Sequence, residues 1–172
     1  MTDRVMLVAP GIVGSKQTAQ QMRALARTGC LHPAVRQLAV AITEPADARD
    51  YDDHALLLRR WLATHVKFTR DPPVAEMVQY PWDLVAQANT EGPVTGDCDC
   101  IATLAASLGC AVGMRFRFVL VGFPTAGVVD SQVPLTHVYT ELLGRSGWKD
   151  MDVTRPAAAE PITVARRVIV SG

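Results

Sequence analysis

Gly109 separates two kinds of hydrophobic period, and that change is the strongest constraint on the fold. Upstream, the apolar residues recur at helical spacing. Residues 15–28 place Met22, Leu25 and Ala26 on one face, and Gly29 ends that segment. His32–Thr43 restarts a helix with Pro33 in its first turn and Pro45 after it. Residues 52–66 set Leu57, Trp61 and Leu62 together, behind an acidic start at Asp52 and Asp53. Short helical pieces are expected after Pro73 and Pro81, then a turn-rich loop over Asn89–Asp97 and a helix over Asp99–Leu108. Downstream the period becomes two: Met114–Phe123, Leu135–Leu143, Gly147–Thr154 and "ARRVIVSG" read as strands. Residues 4–14 suggest a short strand and turn, and 156–161 a linker within the domain. Helices first and antiparallel strands later predict an α+β fold rather than a wound parallel sheet.

The 172 residues suit one domain, and 49% hydrophobic residues are enough for a sizeable core. Seventeen basic residues balance 17 acidic ones. That argues against a dedicated nucleic-acid binder and against an anionic-membrane anchor. No apolar run reaches the ~18 residues that span a bilayer, and the N-terminus lacks a signal-peptide pattern. A cytoplasmic origin follows as an expectation, with the four cysteines as free thiols. "GIVGSK" lacks the spacing of a phosphate loop. A mean hydropathy of +0.14 hints at a surface that meets a partner.

The chemistry-bearing stretch is "TGDCDCIATLAASLG", Thr95–Gly109. Cys98 stands at a helix start, where unpaired N–H groups and the helix dipole favour an anion and are expected to lower a thiol pKa. "GRSG" (Gly144–Gly147) is a hairpin loop. If Gly144 faces Gly147, His137 faces Thr154 and Tyr139 faces Asp152. His137, Tyr139, Trp148, Asp150 and Asp152 then share one side of the sheet. A nucleophilic thiol, a basic imidazole and an orienting carboxylate are therefore all available. From register alone, Asp150 remains an alternative to Asp152.

"GDCDCIATLAASLGCAVGMRFRFV", "THVYTEL" and "GWKDMDVT" resemble the transglutaminase-like cysteine peptidase superfamily over roughly residues 50–155. More loosely, "MRALARTGCLHPAVRQLA" and "THVKFTRDPPVAEMVQYP" resemble its small bacteriophage and prophage members. The resemblance implies a papain-like fold, with a nucleophile helix packed on an antiparallel sheet and N-terminal helices added. It implies a single domain over 1–172, with a helical extension at 1–48 and a catalytic core at 49–172. It sets Cys98 as nucleophile, His137 as base and Asp152 as the orienting acid. The backbone N–H of Cys98 and an upstream side chain would hold the oxyanion: Gln79 first, with Trp82 and Gln87 behind it. The chain departs from the family at Cys100, where Asp is usual, and at Val153, where Pro is common.

Other residues read as structural. Cys100 lies about 200° around the helix from Cys98, and Cys30 and Cys110 suit core filling. A metal site on Cys98-x-Cys100 lacks a second ligand pair at zinc spacing. His32, His54 and His65 read as helix-surface or capping residues, and Tyr139 and Trp148 as site walls or core.

The resemblance implies acyl transfer through a thioester, as a peptidase, amidase or transglutaminase, without a cofactor. The substrate would be a protein or peptide, with a peptidoglycan stem peptide as one candidate. The alternative is a phage tail structural or assembly component that keeps the fold, carried in the virion among other tail proteins.

Overall fold

The computed structural model describes residues 5–6, 12–70, 76–90, 92–154 and 163–172, with side chains from Gln17 onward except at 76–77. In chain order the elements are β1 (Val5–Met6), α1 (Ile12–Gly29), α2 (Pro33–Thr43), α3 (Tyr51–His65), β2 (Val66–Phe68) and β3 (Glu76–Met77). Then come α4 (Pro81–Ala88), β4 (Val94–Gly96), α5 (Cys98–Ala111), β5 (Phe116–Gly122), a 3-10 turn (Asp130–Gln132), β6 (His137–Gly144), β7 (Gly147–Asp150) and β8 (Arg166–Ser171). This is the expected α+β class: N-terminal helices, and α5 packed on a four-stranded antiparallel sheet of order β7-β6-β5-β8.

Helix α5 is the hub. Its sequence offers almost no charged residue after Asp99, and every residue from Asp99 to Gly109 is buried. A helix apolar all round is stable only when enclosed, and here α1, α2, α3 and the sheet enclose it. Its polar exceptions are satisfied locally. Thr103 donates to the Asp99 carbonyl and Ser107 to the Thr103 carbonyl, both at 2.7 Å. Thr140 of β6 donates to the Ala102 carbonyl at 2.7 Å, which fixes the sheet against the helix. Gly109 lets β6 approach, because a Cβ there would overlap the fully buried Leu142 side chain.

The sheet's inner face carries Phe116, Phe118, Leu120, Val138, Thr140 and Leu142, all buried. On the outer face Glu141 bridges Arg117 at 2.5 Å and Arg167 at 2.6 Å, with the Arg117 guanidinium 4.2 Å above the Trp148 ring. Trp148 therefore packs under an arginine rather than lining the His137 cavity.

The expected hairpin register is present: Gly144 pairs with Gly147 and Glu141 with Asp150. The third strand is shorter than expected and ends at Asp150 instead of Thr154. Two other elements differ from expectation. Residues 76–77 form a strand pairing with β1, not a helical piece after Pro73. The loop over Asn89–Asp97 contains β4, which pairs in parallel with β2. The buried face of α3 is His54, Ala55, Leu58 and Leu62, one position on from Leu57. His54 is thus a core residue, not a surface one, and sits edge-on to Tyr51 at 5.8 Å. Residues 7–11 of the expected N-terminal turn and the 156–161 linker lie outside the described residues.

Candidate active site

Gly96 and Asp97 deliver Cys98 to the first turn of α5. Asp97 has extended backbone angles, and its side chain accepts the Cys100 N–H at 3.2 Å, an N-cap that starts the helix at Cys98. Cys98 is half-buried, while Cys100 points into the core with no exposed surface, as the helical angle between them requires. The Gln79 N–H donates to the Cys100 sulfur at 3.3 Å.

The short third strand creates the other half of the site. Alternate residues of β6 direct their backbone groups to β7. The Thr140 carbonyl still accepts the Met151 N–H at 3.0 Å, but beyond it the chain leaves the sheet. The next β6 N–H on that edge, at Val138, is turned toward Cys98 and favours its thiolate. The departing chain carries Asp152 back to His137, and its Oδ2 lies 2.8 Å from His137 Nε2.

Asp152 is held from several directions. Its Oδ1 accepts the Thr154 N–H at 3.0 Å and the Thr154 hydroxyl at 2.6 Å. Its own N–H donates to Asp150 Oδ1 at 2.6 Å, and its carbonyl accepts Arg59 of α3 at 3.2 Å. Burial alone would raise its carboxyl, but the hydrogen bonds from His137 and Thr154 outweigh that and hold it at about 2. Between the two register alternatives, Asp152 contacts the imidazole, while Asp150 supports the Asp152 backbone. The His137 ring is flanked by Phe123, with centroids 6.4 Å apart, and by Tyr139 at 6.2 Å, so Tyr139 packs beside the imidazole without lining the cavity that His137 faces.

Cys98 and His137 open onto one cavity of about 300 Å³. Its walls are Thr18 and Met22 from α1, Asp99, and Leu120, Leu135, Thr136 and Val138. The thiol is not ionised there. Burial, then the carboxylates of Asp97 and Asp99, push Cys98 up to about 12, and the Val138 N–H only partly opposes this. The expected lowering at a helix start is therefore reversed. The aspartates that cap and follow the helix start put negative charge beside the sulfur, and burial removes its water.

Gln79 is drawn to the loop before Cys98. Its Nε2 donates to the Thr95 carbonyl at 3.3 Å and lies 3.9 Å from where a Cβ on Gly96 would sit. Its Oε1 accepts Gln87 Nε2 at 2.9 Å, and Gln87 Oε1 accepts the Thr95 N–H at 3.1 Å. Gln87 is thus a partner of Gln79 rather than its substitute. Trp82 is taken up in a stack between His32 (5.0 Å) and Tyr80 (4.6 Å). His32 occupies the N-cap position of α2 without a side-chain cap bond, and exposed His65 stacks on Trp61 at 4.7 Å.

The potential metal ligands that come together among the described residues are Asp97, Asp99 and Cys100, whose donor atoms lie within 4.8 Å of one another. That group does not contain Cys98. Among the described residues no helix is long and apolar enough to cross a membrane.

The residues that sequence reasoning missed are the supporting ones: Thr154, Arg59, Phe123, and Thr18 with Met22. Thr154 alone carried a local signal, since Asp-x-Thr is the spacing of a side-chain-to-backbone turn. The rest depend on tertiary contacts.

The fold so assembled is one seen in solved structures. It is similar to the crystal structure of a protein from Parabacteroides distasonis provisionally assigned as a protease. The TM-score is 0.62 and the identity 13%, over 95% of this chain and 30% of that one. A protein from Cytophaga hutchinsonii provisionally assigned as a cysteine protease is also similar, with a TM-score of 0.49 and 14% identity over 80% of this chain and 50% of that one. The chain thus spans about 30% of the length of the first of these. No protein-family model matches the chain, and no curated protein matches it.

Proposed function

We propose that this chain is a cysteine acyl-transfer enzyme that cleaves a peptide or side-chain amide, as a peptidase or amidase, through Cys98, His137 and Asp152. The observation that carries the reading is the shared cavity of Cys98 and His137, with His137 Nε2 committed to Asp152 at 2.8 Å. That bond leaves Nδ1 as the ring nitrogen able to exchange a proton with the thiol.

The reaction begins from a neutral thiol. As the sulfur attacks the amide carbonyl carbon, its proton passes to His137 Nδ1, and Asp152 stabilises the imidazolium. The Cys98 N–H and Gln79 Nε2 hold the oxyanion. Gln79 spends one amide hydrogen on Thr95, and an amide nitrogen carries two. The imidazolium then protonates the leaving amine, the C–N bond breaks, and a thioester remains on Cys98. Water resolves it in a hydrolase and a second amine in a transglutaminase. No step calls on a metal or an organic cofactor.

A panel of fluorogenic peptide amides, including glutamine side-chain amides, tests the reading. Wild type turns over at least one member, and Cys98→Ala turns over none while keeping the wild-type circular dichroism spectrum. Equal turnover by wild type and Cys98→Ala would remove Cys98 from the chemistry.

A further inference from the structure

Cys30 and Cys110 lie apart from the residues just assigned, at the crossing of two helix ends. Cys30 directly follows α1, is 8% exposed, and donates to the Arg27 carbonyl at 3.2 Å. Cys110 is in the last turn of α5 and reaches the surface in part. The two helix ends cross closely. A Cβ on Gly29, the last residue of α1, would lie 2.8 Å from Ser107 Oγ and 2.9 Å from the Pro81 ring. Ser107 precedes Cys110 by one helical turn, on the same side of α5. At this crossing Cys110 lies close enough to Cys30 for the neighbouring thiol to disfavour its ionisation. They come from positions 80 residues apart.

We propose that Cys30 and Cys110 are a redox pair that closes to a disulfide and staples α1 to the nucleophile helix. The oxidant is a small-molecule disulfide of the glutathione class. Cys110 loses its proton and attacks one sulfur of the oxidant, forming a mixed disulfide and releasing one small thiol. Cys30 then loses its proton and attacks the Cys110 sulfur. The Cys30–Cys110 bond forms, and the second small thiol leaves. Two protein thiols are oxidised and one oxidant disulfide is reduced to two thiols. Cys110 reaches the surface and takes the first step; Cys30 is buried and resolves it.

The consequence reaches the cavity. Thr18 and Met22, on the same helix as the Cys30 end, form part of the wall around Cys98 and His137. A staple at the far end of α1 holds that wall against α5. Burial and the Cys30 thiol push Cys110 up to about 12, so the first step quickens as pH rises.

The test incubates the full chain with oxidised glutathione at alkaline pH, then reads intact mass, a non-reducing peptide map and Tm. The proposal expects a loss of about 2 Da and one Cys30–Cys110 cross-linked peptide. Constraining so long a loop in the unfolded chain should raise Tm by about 5–15 °C, reversibly on reduction. Cys110→Ser, at a partly exposed position, keeps its fold and loses both the mass change and the Tm gain. Cys30→Ser stops at a glutathione adduct on Cys110. A wild-type map showing a persistent Cys110 adduct, a Cys98–Cys100 link, or only reduced thiols would overturn the proposal without either variant. The result is independent of amide turnover, so its failure leaves the acyl-transfer reading standing.

Discussion

His137→Ala lowers kcat/KM for amide substrates by at least ~10³-fold and leaves the chain folded. The size follows from the state of the thiol. A cysteine held at about 12 is ionised to only ~10⁻⁵ at pH 7, so without a base almost no nucleophile exists. The imidazole supplies the missing proton acceptor. The same variant should show a rate that climbs about tenfold per pH unit through the neutral range, as free thiolate takes over. Stopped assays between pH 6 and 9 with circular dichroism as control give both numbers. A folded variant within tenfold of wild type, or a flat pH dependence, would separate His137 from Cys98.

Asp152→Asn lowers turnover by about 10²–10⁴-fold, while Asp150→Asn stays within about tenfold of wild type. An amide at 152 can still meet the ring, but it cannot stabilise the imidazolium that forms during attack. At 150 the demand is smaller. Its Oδ1 accepts a backbone N–H at 2.6 Å, and an asparagine oxygen can do the same. Acid stability gives an independent readout. The folded state holds Asp152 at about 2, below the usual carboxyl value of 3.8, so the unfolded chain takes up the proton first. The stabilisation is complete above pH ~4 and is lost as pH falls through ~2, a contribution of about 2 kcal/mol. Urea midpoints between pH 2 and 5 should therefore fall less steeply in Asp152→Asn than in wild type. Larger damage from Asp150→Asn than from Asp152→Asn would move the orienting role to Asp150.

Much of this site was legible in the chain because it rests on local rules. Cys98 reads as standing at a helix start, and α5 does begin there, capped by Asp97 through the Cys100 N–H. "GRSG" sets the register from one turn, and Glu141 pairs with Asp150 as that register requires. Helix α5 announced its burial by lacking charge after Asp99. What was not legible depended on competition between distant groups. The third strand stops at Asp150 because Asp152 is drawn to His137 and Thr154, and no period records that. Strands β2 and β4, three residues each, are too short to show alternation. The direction of the Cys98 shift is opposite to the one a helix start alone predicts, because burial depends on what packs around the sulfur. Burial, and after it the charges of Asp97 and Asp99, raise the thiol. His54 entered the core because the buried stripe of α3 is set by what packs on it.

That Cys98 is the nucleophile, and that His137 activates it, can be tested in one measurement. The full chain is treated with a peptidyl acyloxymethyl ketone, a carbon electrophile that reports an activated cysteine, and the adduct is located by intact mass and peptide mapping. A single adduct on Cys98 is expected in wild type, none in Cys98→Ala, and labelling slowed by ~10²-fold or more in folded His137→Ala. An adduct on Cys30 or Cys110 in preference to Cys98, or equal labelling of Cys98 with and without His137, would contradict it.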